Sequence, residues 1–178
     1  MKVSNLQGVY YHYDDYASVW RRLLIEVIDT IVAVTISIGI SALLLAFLPQ
    51  DDLLGWALLA TWAITWFVYF VALKRTRIRT LGYIISGVRI VNLQGEHPGL
   101  LSLSTRLVFA MLGPFNMAID LFWIPSDGRK QALRDKFAHT YVIKKDAQPA
   151  GKGQVVYVRY NIMTWTFLFQ EVSESPAK

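Results

Sequence analysis

The sequence has no cysteine, which excludes disulfides, iron–sulfur clusters and thiolate zinc sites. Charge is also scarce: 17% of residues are Asp, Glu, Lys or Arg, where a soluble domain carries about 25%. The three histidines, His12, His97 and His139, are far apart and fit no metal-ligand spacing, so neither a metal nor a cofactor is expected. No phosphate-cradling glycine loop and no nucleophile–base pair is present, and "GVRIVNLQG" is not a dinucleotide fingerprint. The expectation is therefore a protein that is not an enzyme. Internal repeats and low-complexity tracts are lacking as well.

What the chain has instead is apolar and aromatic: 54% hydrophobic residues, with six Trp, nine Tyr and nine Phe, and a mean hydropathy of +0.35. Such rings collect at lipid interfaces. Residues 30–50 carry no charge, nor do residues 53–73. Each stretch meets the requirement of about 20 apolar residues for a helix across hydrocarbon. The expected spans are 23–48 and 53–73, joined by the tight turn "PQDD" into an antiparallel hairpin. A third apolar segment, 107–119, ends at Asp120 and is interrupted by "GPFN". It is short for a span, and Gly-Pro breaks a helix. A broken re-entrant or interfacial helical pair is expected over 105–124.

The basic residues set an orientation. Three lie in residues 1–22, none in 49–52, six in 74–106 and nine in 125–178. With two spans all 18 Lys and Arg fall on one side, as the positive-inside rule favours. This places the chain in a bacterial cytoplasmic (inner) membrane, multi-pass, with both termini cytoplasmic. The net charge of +5 follows from this topology, and no nucleic-acid partner is expected. The polar stretch 2–16 argues against a secretory leader.

Three regions follow: an N-terminal cytoplasmic segment 1–16, a membrane domain 17–146 and a cytoplasmic tail 147–178 with a strand-like segment 155–169. Just past the second span, "KRTRIRT" offers Lys74, Arg75, Arg77 and Arg79 to anionic headgroups. "VRIV" and "TYVI" read as short strands able to pair beneath the membrane. "LSLSTRLVFAML" reads as a helix that Ser102 or Ser104 could cap, and "DGRKQALRDK" as a polar helical stretch. The tail "VVYVRYNIMTWTFLFQEV" is rich in strand formers. It is either a strand added to the small sheet, an interfacial segment, or a docking strand for another subunit. The fold class is thus membrane all-α: a two-span hairpin, a broken helical pair and a small cytoplasmic β element.

One polar set invites a mechanism. "WRRLLIEVID" opens the first span with Arg22, Glu26 and Asp29 on one helix face, and ionisable groups at membrane depth mark function by default. Arg22 can pair with Glu26 while snorkelling to the headgroups. Asp29 is either paired with the cytoplasmic part, for example Arg106, or binds a cation or proton in transport. It lies about two turns inside, and the second span has no acid to continue a path, which favours pairing. Thr30, Ser37, Gly39 and Ser41 suit close helix packing.

These residues resemble the RDD family of membrane proteins, named for an arginine and an aspartate in the first helix and a later aspartate. Arg22 and Asp29 match its opening motif. "TLGYIISGVRIVNLQG" resembles its second motif at Thr80, Gly82, Gly87, Arg89 and Val91, and Arg106 matches the arginine opening the following helix. "DLFWIPSDGRKQALRDKFAHTYVI" resembles the closing motif, with Asp135 as the second aspartate and Thr140 after it. The resemblance covers residues 17–145. Tyr83 stands where the motif has lysine, Ile25 where it has a small residue, and Glu26 is an additional acid. What the resemblance implies is an architecture and the trio Arg22, Asp29 and Asp135, supported by Glu26, Thr80, Gly82, Gly87, Arg89, Arg106, Asp120 and Thr140. Transport has been proposed for the family, and ion/proton exchange reported for some members. The functional expectation is an accessory, scaffold or assembly subunit packed against a larger membrane protein partner or as a homo-oligomer. The alternative is a cation/proton antiporter or other small-solute transporter acting as an oligomer, with Asp29 as the ion site.

Overall fold

A computed structural model describes residues 3–76, 78–162 and 165–174. Chain order is β1 (Val3–Tyr10), α1 (Val19–Phe47), α2 (Asp52–Phe67), α3 (Leu81–Ile85), β2 (Val88–Asn92), α4 (Leu100–Ala110), α5 (Pro114–Trp123), α6 (Leu133–Phe137), β3 (Thr140–Lys144), β4 (Gly151–Ile162) and β5 (Trp165–Val172). α2 continues without a break as one π-helical stretch, Val68–Leu73. Two helices, Val19–Phe47 and Asp52–Leu73, are long and apolar enough to cross a membrane. Asp51 caps α2, its carboxylate accepting from the Leu54 N–H at 3.1 Å, which closes the turn between them.

α4 and α5 form the broken pair, bent by 107°. Gly113 sits at φ +56° with Pro114 as the first helical residue. A positive φ suits glycine, and a leading proline suits a helix start, so the bend is written in these two residues. α4 begins after Gly99 with no side-chain cap. Ser102 and Ser104 therefore lie within the helix, correcting the expected cap. Only Leu133–Phe137 of the "DGRKQALRDK" region is α-helical.

β2 and β3 pair antiparallel, Ile90 opposite Val142. Their side chains alternate between two cores. Val88, Ile90 and Val142 pack with Ile25, Val71, Tyr83 and Leu103 on the helix side. Val91, Tyr141 and Ile143 pack on the other side with Val9, Tyr16, Val155 and Val172. Period-two alternation thus makes this ribbon a middle layer, buried on both faces.

That second core belongs to a sheet larger than the sequence suggests. β1, β4 and β5 form a three-stranded antiparallel sheet in the order β1-β4-β5. The tail is not one strand added to the small sheet, nor an unpaired docking strand. It is a hairpin whose β4 pairs with β1, and Met163 and Thr164 at its tip lie outside the described residues. The N-terminal stretch, read from sequence as merely polar, supplies the third strand. Its Gly8 leaves room for Val172 and the Leu93 carbonyl. The all-α description consequently gives way to membrane helices with five strands in two antiparallel sheets.

Candidate functional site

The buried face of α1 runs through Arg22, Ile25, Asp29, Ala33 and Ser37, a helical stripe. Arg21 points outward. Each ionisable group on the inward stripe meets a different partner set.

Asp29 is fully buried and held by donors from the second span and the loop after it. One oxygen accepts from the Tyr69 hydroxyl at 3.1 Å and the Gly82 N–H at 2.8 Å. The other accepts from the Thr80 hydroxyl at 2.7 Å, with Lys74 Nζ at 3.6 Å. Tyr69 belongs to the π-helical stretch, in which three successive residues, Tyr69, Phe70 and Val71, are buried. Gly82 is required by contact: a Cβ there would lie 2.7 Å from both the Asp29 carboxylate and the Ile25 carbonyl. Asp29 thus pairs with Lys74, and the suggested Arg106 partner is engaged elsewhere.

Arg106 and Arg22 both clasp Asp135, one on each carboxylate oxygen. Arg22 also donates from Nε to the Ala17 carbonyl at 3.2 Å, and Arg106 to the Thr140 hydroxyl at 3.0 Å. The Ala132 N–H donates to Asp135 at 3.1 Å, closing the first turn of α6. Arg22 is therefore a buried residue that bridges α1 to α6, not a headgroup-seeking partner of Glu26. Burial alone would raise the Asp135 pKa, but the guanidiniums of Arg106, Arg22 and Arg134 outweigh it and hold it at about 2.

Glu26 takes a bidentate grip from Arg134, 3.1 and 2.8 Å to the two oxygens. Asn116 donates to it at 3.3 Å, and Asp120 stands 3.0 Å from the same guanidinium. The extra acid on α1 is thereby matched to a base beside Asp135 in sequence.

α6 is the distributor. Arg134, Asp135 and Lys136 are all buried, and successive helical residues diverge by about 100°. Arg134 reaches Glu26, Asp135 reaches Arg22, and Lys136 turns to the outer sheet. There Lys136 meets Asp127 at 2.6 Å and Glu171 of β5 at 2.8 Å. Glu171 is partly buried, which would raise its pKa, but the Lys136 bond and charge bring it below the ordinary value.

Of the other residues singled out from sequence, Arg89 donates to the Ala147 carbonyl at 2.8 Å and Gly87 adopts φ +63° at the turn into β2. Both serve the sheet region rather than the junction. Gly39 has no atom within 4 Å of an added Cβ, so it supports no close packing, whereas Ser37 is buried and donates to the Ala33 carbonyl. Lys74 is withdrawn from the basic run: it lies against Asp29 and over the Phe70 and Tyr83 rings at 4.7 and 4.8 Å. Arg79 donates to the Val88 carbonyl, Arg75 is exposed, and Arg77 lies outside the described residues. Sequence reasoning missed Tyr69, Lys74 and Asn116 as partners of the α1 acids, and Arg134. Arg134 had a signal in its place beside Asp135; the others had none.

No curated protein and no solved structure matches the chain. A model of the RDD family matches residues 16–139, from the start of the membrane hairpin to the turn before β3. That span contains Arg22, Glu26, Asp29, Arg106 and Asp135, and with it the chain, a membrane protein by its apolar helices, belongs to the RDD family.

Proposed function

We propose that this protein is a non-enzymatic accessory or scaffold subunit of a cytoplasmic membrane, packing against larger membrane partners. The observation that carries the reading is the closure of the polar junction. Arg22, Glu26 and Asp29 are each answered by protein groups, while the outer faces of the spans stay apolar and exposed. Exposed residues include Leu24, Val27 and Ile31 on α1 and Leu53, Trp56, Leu59 and Ile64 on α2. A rigid core with broad apolar flanks suits assembly in a bilayer. The aromatic contact surface of α2 is narrower than its sequence suggests, since Tyr69 and Phe70 turn inward. Both termini are read as cytoplasmic, with exposed Arg75 facing anionic headgroups.

The exchanger reading asks Asp29 to bind and release an ion. Its two oxygens already accept three hydrogen bonds beside an ammonium, which weighs against it. The test is purification of the full chain in mild detergent with mass measurement, beside proton-coupled cation flux in proteoliposomes. A stoichiometric membrane companion, lost when Trp56 and Leu59 are replaced by alanine, is the expected result. A companion-free monomer, or flux abolished by Asp29→Asn, would overturn the reading.

A further inference from the structure

Where the junction faces the helices it leaves a cavity of about 250 Å³ between α1, the π-helical stretch, α4 and α5. Four cations line it, Arg22, Lys74, Arg106 and Arg134, against a single carboxylate, Glu26. The acids that balance the cations, Asp29, Asp120 and Asp135, are absent from the lining. They stand behind the bases and turn the cationic side of each pair into the space. The remaining wall is apolar and aromatic, with Ile25, Phe70, Leu107 and Met117.

Three buried donors among the lining residues have no acceptor among the described residues: Nη2 of Arg22, Nε of Arg134 and the indole Nε1 of Trp66. Buried donors are ordinarily satisfied. Glu26 does not serve them, because its oxygens are taken by the two terminal nitrogens of Arg134 and by Asn116. The missing ligand is therefore an acceptor that meets the cationic side of these pairs and tolerates an apolar wall. A tetrahedral phosphate can accept from donors spread over several walls, and guanidinium groups match its oxygens.

We propose that this cavity binds a phosphate group, carried by an anionic lipid whose chains leave along the apolar wall. Lipid is the favoured source because the cavity adjoins the spans and because basic pockets between membrane helices hold phosphorylated headgroups. The site is independent of the accessory-subunit reading, since it needs no protein partner.

The test uses the full chain, delipidated in neutral detergent, with three probes: dioleoyl phosphatidylglycerol, dioleoyl phosphatidylcholine and inorganic phosphate. Native mass spectrometry should show one phosphatidylglycerol per chain, retained at least tenfold more tightly than phosphatidylcholine. Ala110→Phe and Met117→Trp fill the cavity from α4 and from α5, so a folding failure in one leaves the other to report. Either variant, folded as judged by elution and circular dichroism, should lose that retention at least tenfold. Thermal stabilisation by inorganic phosphate that the filled variants lose, without lipid retention, would keep the phosphate site and assign its source to solution. Equal retention of the two lipids with no phosphate effect, or filled variants that bind like wild type, would overturn the proposal.

Discussion

Replacing Gly82 with alanine adds one methyl group where α3 lies on α1. The new carbon would stand 2.7 Å from the Asp29 carboxylate and 2.7 Å from the Ile25 carbonyl, well inside van der Waals contact. One obstacle is a buried carboxylate held by three donors and the other is helix backbone, so neither swings aside. α3 must lift, and in lifting it breaks the 2.8 Å bond from the Gly82 N–H and strains the 2.7 Å bond from Thr80. Overpacking costs about 1–3 kcal/mol, and a lost hydrogen bond to a charged group about 1.5–3. The sum is about 2.5–6 kcal/mol, or roughly a 10 °C fall in Tm for a chain of this size. Thermal unfolding in mild detergent, followed by circular dichroism, reads it directly. Gly39→Ala and Gly55→Ala serve as comparisons, because an added Cβ at either meets nothing within 4 Å. Both should be neutral or slightly stabilising through helix propensity, worth up to about 1 kcal/mol. A Gly82→Ala protein as stable as these would refute the packing of α3 on Asp29.

Asp135→Asn removes the charge shared by Arg22 and Arg106 and should cost about 3–5 kcal/mol, as breaking a buried ion pair does; with Arg22→Met added, the measured loss should fall short of the sum of the single losses by at least about 1 kcal/mol. The acid limb of stability has a worked sign. Asp135 sits at about 2 when folded against about 3.9 unfolded, so its contribution of about 2–3 kcal/mol is fully present above pH ~4 and vanishes as pH falls through about 2. Glu171, also lowered, acts in the same direction, so unfolding scans across this window should steepen in wild type and flatten in Asp135→Asn. Lys136→Met leaves Asp127 and Glu171 without the ammonium that joins them, and a loss of about 3 kcal/mol is expected. A loss under 1 kcal/mol would mean the outer sheet is held without it.

The membrane hairpin was legible because hydropathy is a local signal: an uncharged run of sufficient length declares itself whatever it touches. The broken pair was equally local, fixed by Gly113 and Pro114. The pairing of "VRIV" with "TYVI" could be read because each is short, apolar and bounded by turns. The outer sheet could not. β1 and β4 are separated by more than a hundred residues, and nothing in "VSNLQGVY" taken alone outweighs its polarity until Val9 meets Val155 and Val172. The junction was half visible. Helical spacing put Arg22, Glu26 and Asp29 on one face, but their partners depend on long-range geometry. The nearest cation in sequence, Arg22, is not the partner of Glu26. Tyr69, which meets Asp29, sits in a six-residue π-helical stretch of the second span, a change that apolar composition does not record.

The pairing of β1 with β4 sets a condition on how the molecule is made. β1 precedes both spans in synthesis, and β4 follows them. Throughout the synthesis of the helical hairpin, then, β1 waits with its backbone donors and acceptors open, exposed to any other strand it meets. Synthesis at about 5–20 residues per second keeps that interval to several seconds or more. The polarity of the segment, with Ser4, Asn5 and Gln7, keeps so long-exposed a strand soluble until its partner arrives. The outer sheet closes last, and in closing it brings Glu171 to Lys136 and ties the two ends of the chain to α6.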